Sequence, residues 1–130
     1  MLLGRVYKAG KTPVMQDFQL SFSQAQLLSL VEAGRPVAMN ELANALYCDA
    51  SNVTGLVDKL EARQLIERRA DPEDRRVKMI AITPEGTRFR AEVMARIAEP
   101  PPSFELLSPR EQRVLRDLLR KLAQGMQERP

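Results

Sequence analysis

Two amphipathic periods stand almost end to end in the middle of this chain. Met39, Leu42, Ala43 and Leu46 recur at i, i+3, i+4 and i+7, and Val53, Leu56, Val57 and Leu60 carry a second helical stripe. Only Tyr47-Cys48-Asp49 lies between the two helices they imply, with Asp49 at the N-cap of the second. So tight a connection predicts a helix-turn-helix. Leu65 to Ala70 and Val77 to Thr83 then read as strands, the second rich in Val and Ile. They are joined by the polar stretch Asp71-Pro72-Glu73-Asp74-Arg75-Arg76, a hairpin with a charged tip that forms a wing on the helical pair.

The flanking signals are mostly capping signals. Ser21 with Gln24 fits a capping box, and Leu27, Leu30 and Val31 share one face of a helix of about three turns stopped by Gly34 and Pro36. Thr83-Pro84-Glu85 starts another helix, through Phe89, Val93 and Ile97, which Pro100-Pro101-Pro102 ends. Ser108-Pro109-Arg110-Glu111 opens the last, with Leu115, Leu118, Leu119, Leu122 and Met126 on one stripe. Since the proline run detaches this helix from the one before it, the stripe reads as a dimer seam. Before Ser21, Gly4, Gly10 and Pro13 interrupt any helix, and Leu2, Leu3, Val6 and Tyr7 offer the only apolar stripe: a short helix and a loop. The expected architecture is mainly α with a small β-hairpin: a winged helix-turn-helix domain plus terminal dimerisation helices. Residues 1–20 are expected to form an N-terminal dimerisation segment, 21–99 the winged domain with its following helix, and 100–130 the C-terminal dimerisation helix.

Composition narrows the chemistry. A chain of 130 residues, 44% hydrophobic and 28% charged, can bury one core. No apolar run approaches the roughly 18 residues that span a bilayer, so no membrane role and a cytoplasmic location are expected. With no histidine and one cysteine, the usual metal ligand, the usual general base and an internal disulfide are all missing. Neither a cofactor nor a metal site is expected, and no nucleophile–base pair or phosphate loop suggests an enzyme. The net charge is only +3, yet 15 of the 20 basic residues are arginine, whose fork binds phosphate in two places. Arg68, Arg69, Arg75, Arg76 and Lys78 cluster near the hairpin among Asp71, Glu73 and Asp74, so position decides between a binding tip and a solvated loop.

Facing supplies the position. If Val53, Leu56, Val57 and Leu60 point inward, Ser51, Gly55, Asp58 and Ala62 point outward, flanked by Asn52, Thr54 and Lys59. Small side chains let a helix sink into a DNA major groove, and Ser, Thr and Asn offer hydrogen bonds to bases and phosphates. Gly55, costing roughly 1 kcal/mol against alanine in a helix interior, points to close approach by DNA or by another helix. Asp58 would repel phosphate, which limits groove entry to the first turn or two. Lys59 and Arg63 read equally as phosphate contacts and as solvated residues. Cys48 reads as a small turn residue rather than a redox sensor.

The motifs Met39-Asn40-Glu41-Leu42-Ala43, Asp49 through Glu61, and Asp71-Pro72-Glu73-Asp74-Arg75-Arg76 through Thr83-Pro84-Glu85-Gly86 together resemble a MarR-type transcriptional regulator. The resemblance covers roughly residues 21 to 99. It implies a homodimer with intertwined first and last helices, two winged domains on a pseudo-palindromic operator of double-stranded DNA, and often a small effector that loosens binding. On this resemblance Ser51, Asn52 and Thr54 match base- and phosphate-contacting positions. Arg76 matches the minor-groove arginine, with Arg75 beside it and Asp74 as the orienting carboxylate. The expected function is a dimeric sequence-specific regulator, a repressor released by an effector. An effector cavity would be lined by residues such as Phe18, Phe22 and Phe104. The alternative is a winged-helix module for protein contacts, against which stands the lack of aromatics on the outward face of the helix carrying Gly55. Two departures stand out: the segment before Ser21 is shorter than the family's first helix, and Gln64 stands where the family commonly has glycine, so a positive φ there would strain it.

Overall fold

A computed structural model describes the backbone of residues 2–127 and the side chains of Arg5 and residues 9–125. The elements run α1 (Leu2–Asp17), α2 (Phe22–Leu30), β1 (Val37–Ala38), α3 (Met39–Leu46), α4 (Ala50–Ala62), β2 (Ile66–Ala70), β3 (Lys78–Ile82), α5 (Pro84–Ala98), a 3₁₀ turn (Pro102–Leu106) and α6 (Pro109–Gln127). They form two compact units, residues 11–99 and residues 1–10 with 100–130. Among the described residues no helix is long and apolar enough to cross a membrane.

The larger unit holds the core. Leu27, Leu28 and Val31 from α2 and its exit, Leu42 from α3, Val53, Val57 and Leu60 from α4, Ile80 from β3 and Val93 from α5 are all fully buried. The helical stripes supply most of them, but on α2 the buried place expected of Leu30, which is 37% exposed, is taken by Leu28, and on α4 Leu56 is only partly buried at the edge. The sheet differs from the expected hairpin. It has three antiparallel strands in the order β1-β3-β2, because Val37 and Ala38 pair with Ile80 and Met79. Two residues are too few to show alternation in a sequence. The wing strands pair Ile66 with Ile82, Arg68 with Ile80 and Ala70 with Lys78.

Local chemistry sets the boundaries. Ser21 Oγ accepts from Gln24 N–H at 3.1 Å while Ser21 N–H donates to Gln24 Oε1 at 2.7 Å, the reciprocal box read from sequence. Helix α2 stops earlier than expected, at Leu30; Gly34, at φ 76°, turns the chain tightly between the bridged Glu32 and Arg35. At the base of the wing, Thr83 N–H donates to the Leu65 carbonyl at 3.1 Å, and Thr83 Oγ1 accepts from Gly86 N–H at 2.9 Å. A Cβ on Gly86 would lie 1.8 Å from that same Leu65 oxygen, so only glycine lets α5 start this close to the sheet. Gln64 does adopt a positive φ, 59°, in the turn out of α4.

The expected short helix and loop at the N-terminus is instead one helix of 16 residues with Pro13 inside it. Two packing facts outweigh the breakers. Val14 and Met15 are buried in the core, which anchors the turn after the proline. Gly10 makes room for Pro101, whose Cβ would stand 2.9 Å from a Cβ placed there. The apolar residues Leu2, Leu3, Val6 and Tyr7 have side chains outside the described residues.

In the smaller unit, Ser108 and Glu111 form the expected box. Ser108 N–H donates to Glu111 Oε2 at 2.8 Å, and the serine hydroxyl donates to the same oxygen at 2.7 Å. Gln112 Nε2 reaches back to the carbonyls of Phe104 and Leu107, both at 3.0 Å, tying α6 to the 3₁₀ turn. The α6 stripe stays open: Leu118 is 56% and Leu122 63% exposed. Met126 lies outside the described side chains.

Candidate nucleic-acid interface

Helix α4 turns its polar face outward as its periodicity requires. Ser51, Asn52, Thr54, Gly55 and Lys59 are all exposed, while Val53, Val57 and Leu60 lock the opposite face into the core. A Cβ added at Gly55 would meet nothing within 4 Å, so no internal neighbour demands glycine there. Ser51, Asn52, Gly55 and Lys59 line one wall of a groove of about 360 Å³, whose lining also includes Ser23 and Gln26 of α2, Leu46 at the end of α3 and the turn residue Cys48. Thr54 differs in one respect. Its hydroxyl donates to the Ala50 carbonyl at 2.9 Å, so it offers an incoming group lone pairs rather than a proton.

Asp49 takes the N-cap position, with φ −70° and ψ 153°, yet its carboxylate makes no capping bond; its carbonyl accepts from Asn52 N–H at 3.0 Å. The first-turn N–H groups of α4 are therefore not capped by the Asp49 side chain.

The wing tip is organised by aspartates acting on backbone. Asp71 Oδ1 accepts from the N–H groups of Glu73, at 2.7 Å, and Asp74, at 3.2 Å. Asp74 Oδ1 accepts from Arg76 N–H at 3.0 Å, and its carbonyl from Val77 N–H at 2.9 Å. Asp74 thus orients the main chain under Arg76 rather than its guanidinium. Arg75 and Arg76 are both exposed at the tip, and among the described residues neither guanidinium has a hydrogen bond or ion pair.

Three functional details escape sequence reading. Arg63 is not available as a phosphate ligand: its guanidinium donates to the carbonyls of Phe18, at 3.0 Å, and Gln19, at 3.1 Å, and lies 4.9 Å from the centre of the Phe89 ring. It caps the end of α1 and stacks on an aromatic that itself meets Phe18 edge-on at 5.5 Å. Phe18 therefore packs against the core beside Phe89. Arg68, on β2, reaches across to α4 and ion-pairs with both Asp58 and Glu61. The hydrogen bond to Asp58 is the main cause that holds its proton more tightly than usual. Tyr47, 96% exposed, occupies the helix-turn-helix turn at φ 51°, a left-handed conformation that aromatic residues seldom adopt. Spacing within one element cannot reveal these cross-element partners; for Tyr47 the only signal was a turn three residues long.

Comparison with known proteins agrees with this geometry. Residues 20–78 match the family model described as MarR family. The uncharacterised HTH-type transcriptional regulator YsmB of Bacillus subtilis is 38% identical over 63 residues, 48% of this chain and 43% of YsmB, so the chain spans under half the length of that relative. A MarR-family transcriptional regulator from Rhodococcus sp. RHA1 superposes with a TM-score of 0.74 at 31% identity, over 93% of this chain and 86% of that one. The transcriptional repressor CouR, from Rhodococcus jostii RHA1, in a structure bound to a 23-mer DNA duplex, superposes with a TM-score of 0.73 at 26% identity over 94% and 87% of the two chains. A winged helix-turn-helix with this order of elements, matched by family model and by a structure at that identity across nearly its whole length, has one assignment: the chain belongs to the MarR family.

Proposed function

We propose that the chain is a cytoplasmic, dimeric, sequence-specific DNA-binding transcriptional regulator. Helix α4 enters the major groove with Ser51, Asn52 and Thr54 at bases and phosphates, Gly55 allowing close approach and Lys59 at the backbone. The tip arginines Arg75 and Arg76 enter the adjacent minor groove, with Asp74 holding the turn beneath them. The observation that carries this reading is the unobstructed outer face at Gly55. A helix that spends a glycine where nothing inside the molecule requires it is shaped for something outside.

Two copies pair through the terminal segments, residues 1–20 and 100–130, placing two winged domains on a pseudo-palindromic operator. The open apolar stripe of α6 supports the pairing. The chain acts as a repressor, and a small molecule that binds it lowers DNA affinity; CouR has also been crystallised with p-coumaroyl-CoA.

The test is competition binding with duplex DNA from upstream of the chain's own gene. At physiological salt it should bind about a thousandfold or more tighter than random DNA. Equal affinities would end the regulator reading and favour a protein-docking module. Arg76→Ala should weaken binding and lower the salt slope by about 0.9 for each phosphate that the arginine neutralises.

A further inference from the structure

A helix that meets a polyanion should not carry bare carboxylates, and α4 carries two. Asp58 follows Gly55 by one turn on the same ridge, so an approaching phosphate backbone would meet it. Its side chain is 60% exposed, and that of Glu61, one turn further on, is 37% exposed. Each carboxylate has the same sign of charge as DNA phosphate and opposes its approach.

One side chain answers both. From β2, one terminal nitrogen of Arg68 pairs with Asp58 Oδ1 and the other with Glu61 Oε2, while Arg68 N–H donates to Glu61 Oε1 at 3.1 Å. That use of both arms of a planar fork is open to arginine and closed to lysine. With Lys59 between them, the formal charges of Asp58, Glu61, Lys59 and Arg68 sum to zero over the C-terminal half of the helix. We propose that Arg68 is a positioning residue for DNA docking, which offsets the Asp58 and Glu61 carboxylates so that α4 can lie against phosphate without touching DNA through Arg68 itself. The proposal rests on α4 being the DNA-reading helix.

The test removes the cation together with the carboxylates that it answers. Arg68→Gln alone leaves two unanswered carboxylates and should weaken binding to the upstream duplex about tenfold at low salt, a loss that shrinks as added salt screens them. Arg68→Gln combined with Asp58→Asn and Glu61→Gln removes one cation and two anions, a net change of +1, and should bind at least as tightly as wild type. A triple variant as weak as the single one overturns the proposal, since Arg68 then contacts DNA or holds the fold in a way the amides cannot replace. Thermal melting of each protein accompanies the titrations. If the single variant does not fold, the step from the Asp58→Asn, Glu61→Gln double variant to the triple one decides: a loss within about twofold supports the proposal, because no carboxylate is left for Arg68 to answer, and a loss of about tenfold overturns it. If the triple variant does not fold, Arg68→Gln introduced into Asp58→Asn decides: a smaller loss there than in wild type supports the proposal and an equal loss overturns it. Wild-type protein with no preference for its upstream duplex ends the regulator reading; wild-type binding with a failed triple variant ends only the role of Arg68.

Discussion

Gly55→Ala separates the two things a glycine in a helix can mean. Position 55 lies in the interior of α4, where glycine is about 0.8 to 1 kcal/mol less favourable than alanine. The added methyl meets no atom within 4 Å, so no steric term offsets the gain. The protein should become more stable by about that amount, a rise in melting temperature of roughly 3 to 5 °C for a chain of this size. DNA affinity should move the other way. If the backbone at Gly55 comes within van der Waals distance of the groove, the methyl has to displace it, and a loss of about 1.4 kcal/mol reads as tenfold in Kd. Melting followed by circular dichroism at one protein concentration, and fluorescence anisotropy with the upstream duplex at one salt concentration, give the two numbers. A fall in melting temperature would refute the open surface at this position. Unchanged affinity with raised stability would refute close approach, leaving the glycine without a function.

Arg63 and Glu111 give two further expectations. Arg63→Ala removes two charge-assisted bonds to the end of α1 and the stacking on Phe89, and should cost about 1 to 2 kcal/mol in urea unfolding. DNA affinity measured well below the unfolding midpoint should not change; a large drop there with intact stability would put Arg63 back at the interface. Glu111 is held below the ordinary glutamate range, first by the Ser108 hydroxyl and then by the Ser108 N–H. A carboxylate depressed in the folded state contributes its stabilisation above its unfolded value and loses it as pH falls through the folded one, so the start of α6 should fray in acid. Carbon-detected NMR titration should show Glu111 moving toward the ordinary range in Ser108→Ala, which removes the hydroxyl and keeps the N–H.

What could be read from the sequence was what neighbouring residues decide between themselves. The boxes at Ser21 with Gln24 and Ser108 with Glu111, the Thr83-Pro84 start, the buried faces of α3 and α4 and the basic tip of the hairpin all follow from spacings of four residues or fewer. What could not be read depends on partners far along the chain. Arg63 looked like any solvated helix residue until the end of α1, more than forty positions upstream, supplied two carbonyls. Asp58 looked like a liability until Arg68 came across from the sheet. Pro13 ranked as a breaker because the burial of Val14 and Met15 that outweighs it is invisible locally. Strand β1 exists only because β3 offers it a ladder.

The joint at the base of the wing has a consequence for how such proteins diversify. Leu65, Thr83 and Gly86 fasten both strand ends to α5 without help from anything beyond Asp71, while the tip is held by its own aspartates. The stretch from Pro72 to Val77 is thereby a cassette: it can be lengthened, shortened or exchanged between relatives while the body that carries it keeps its shape. Residues there can drift independently of everything that folds the chain.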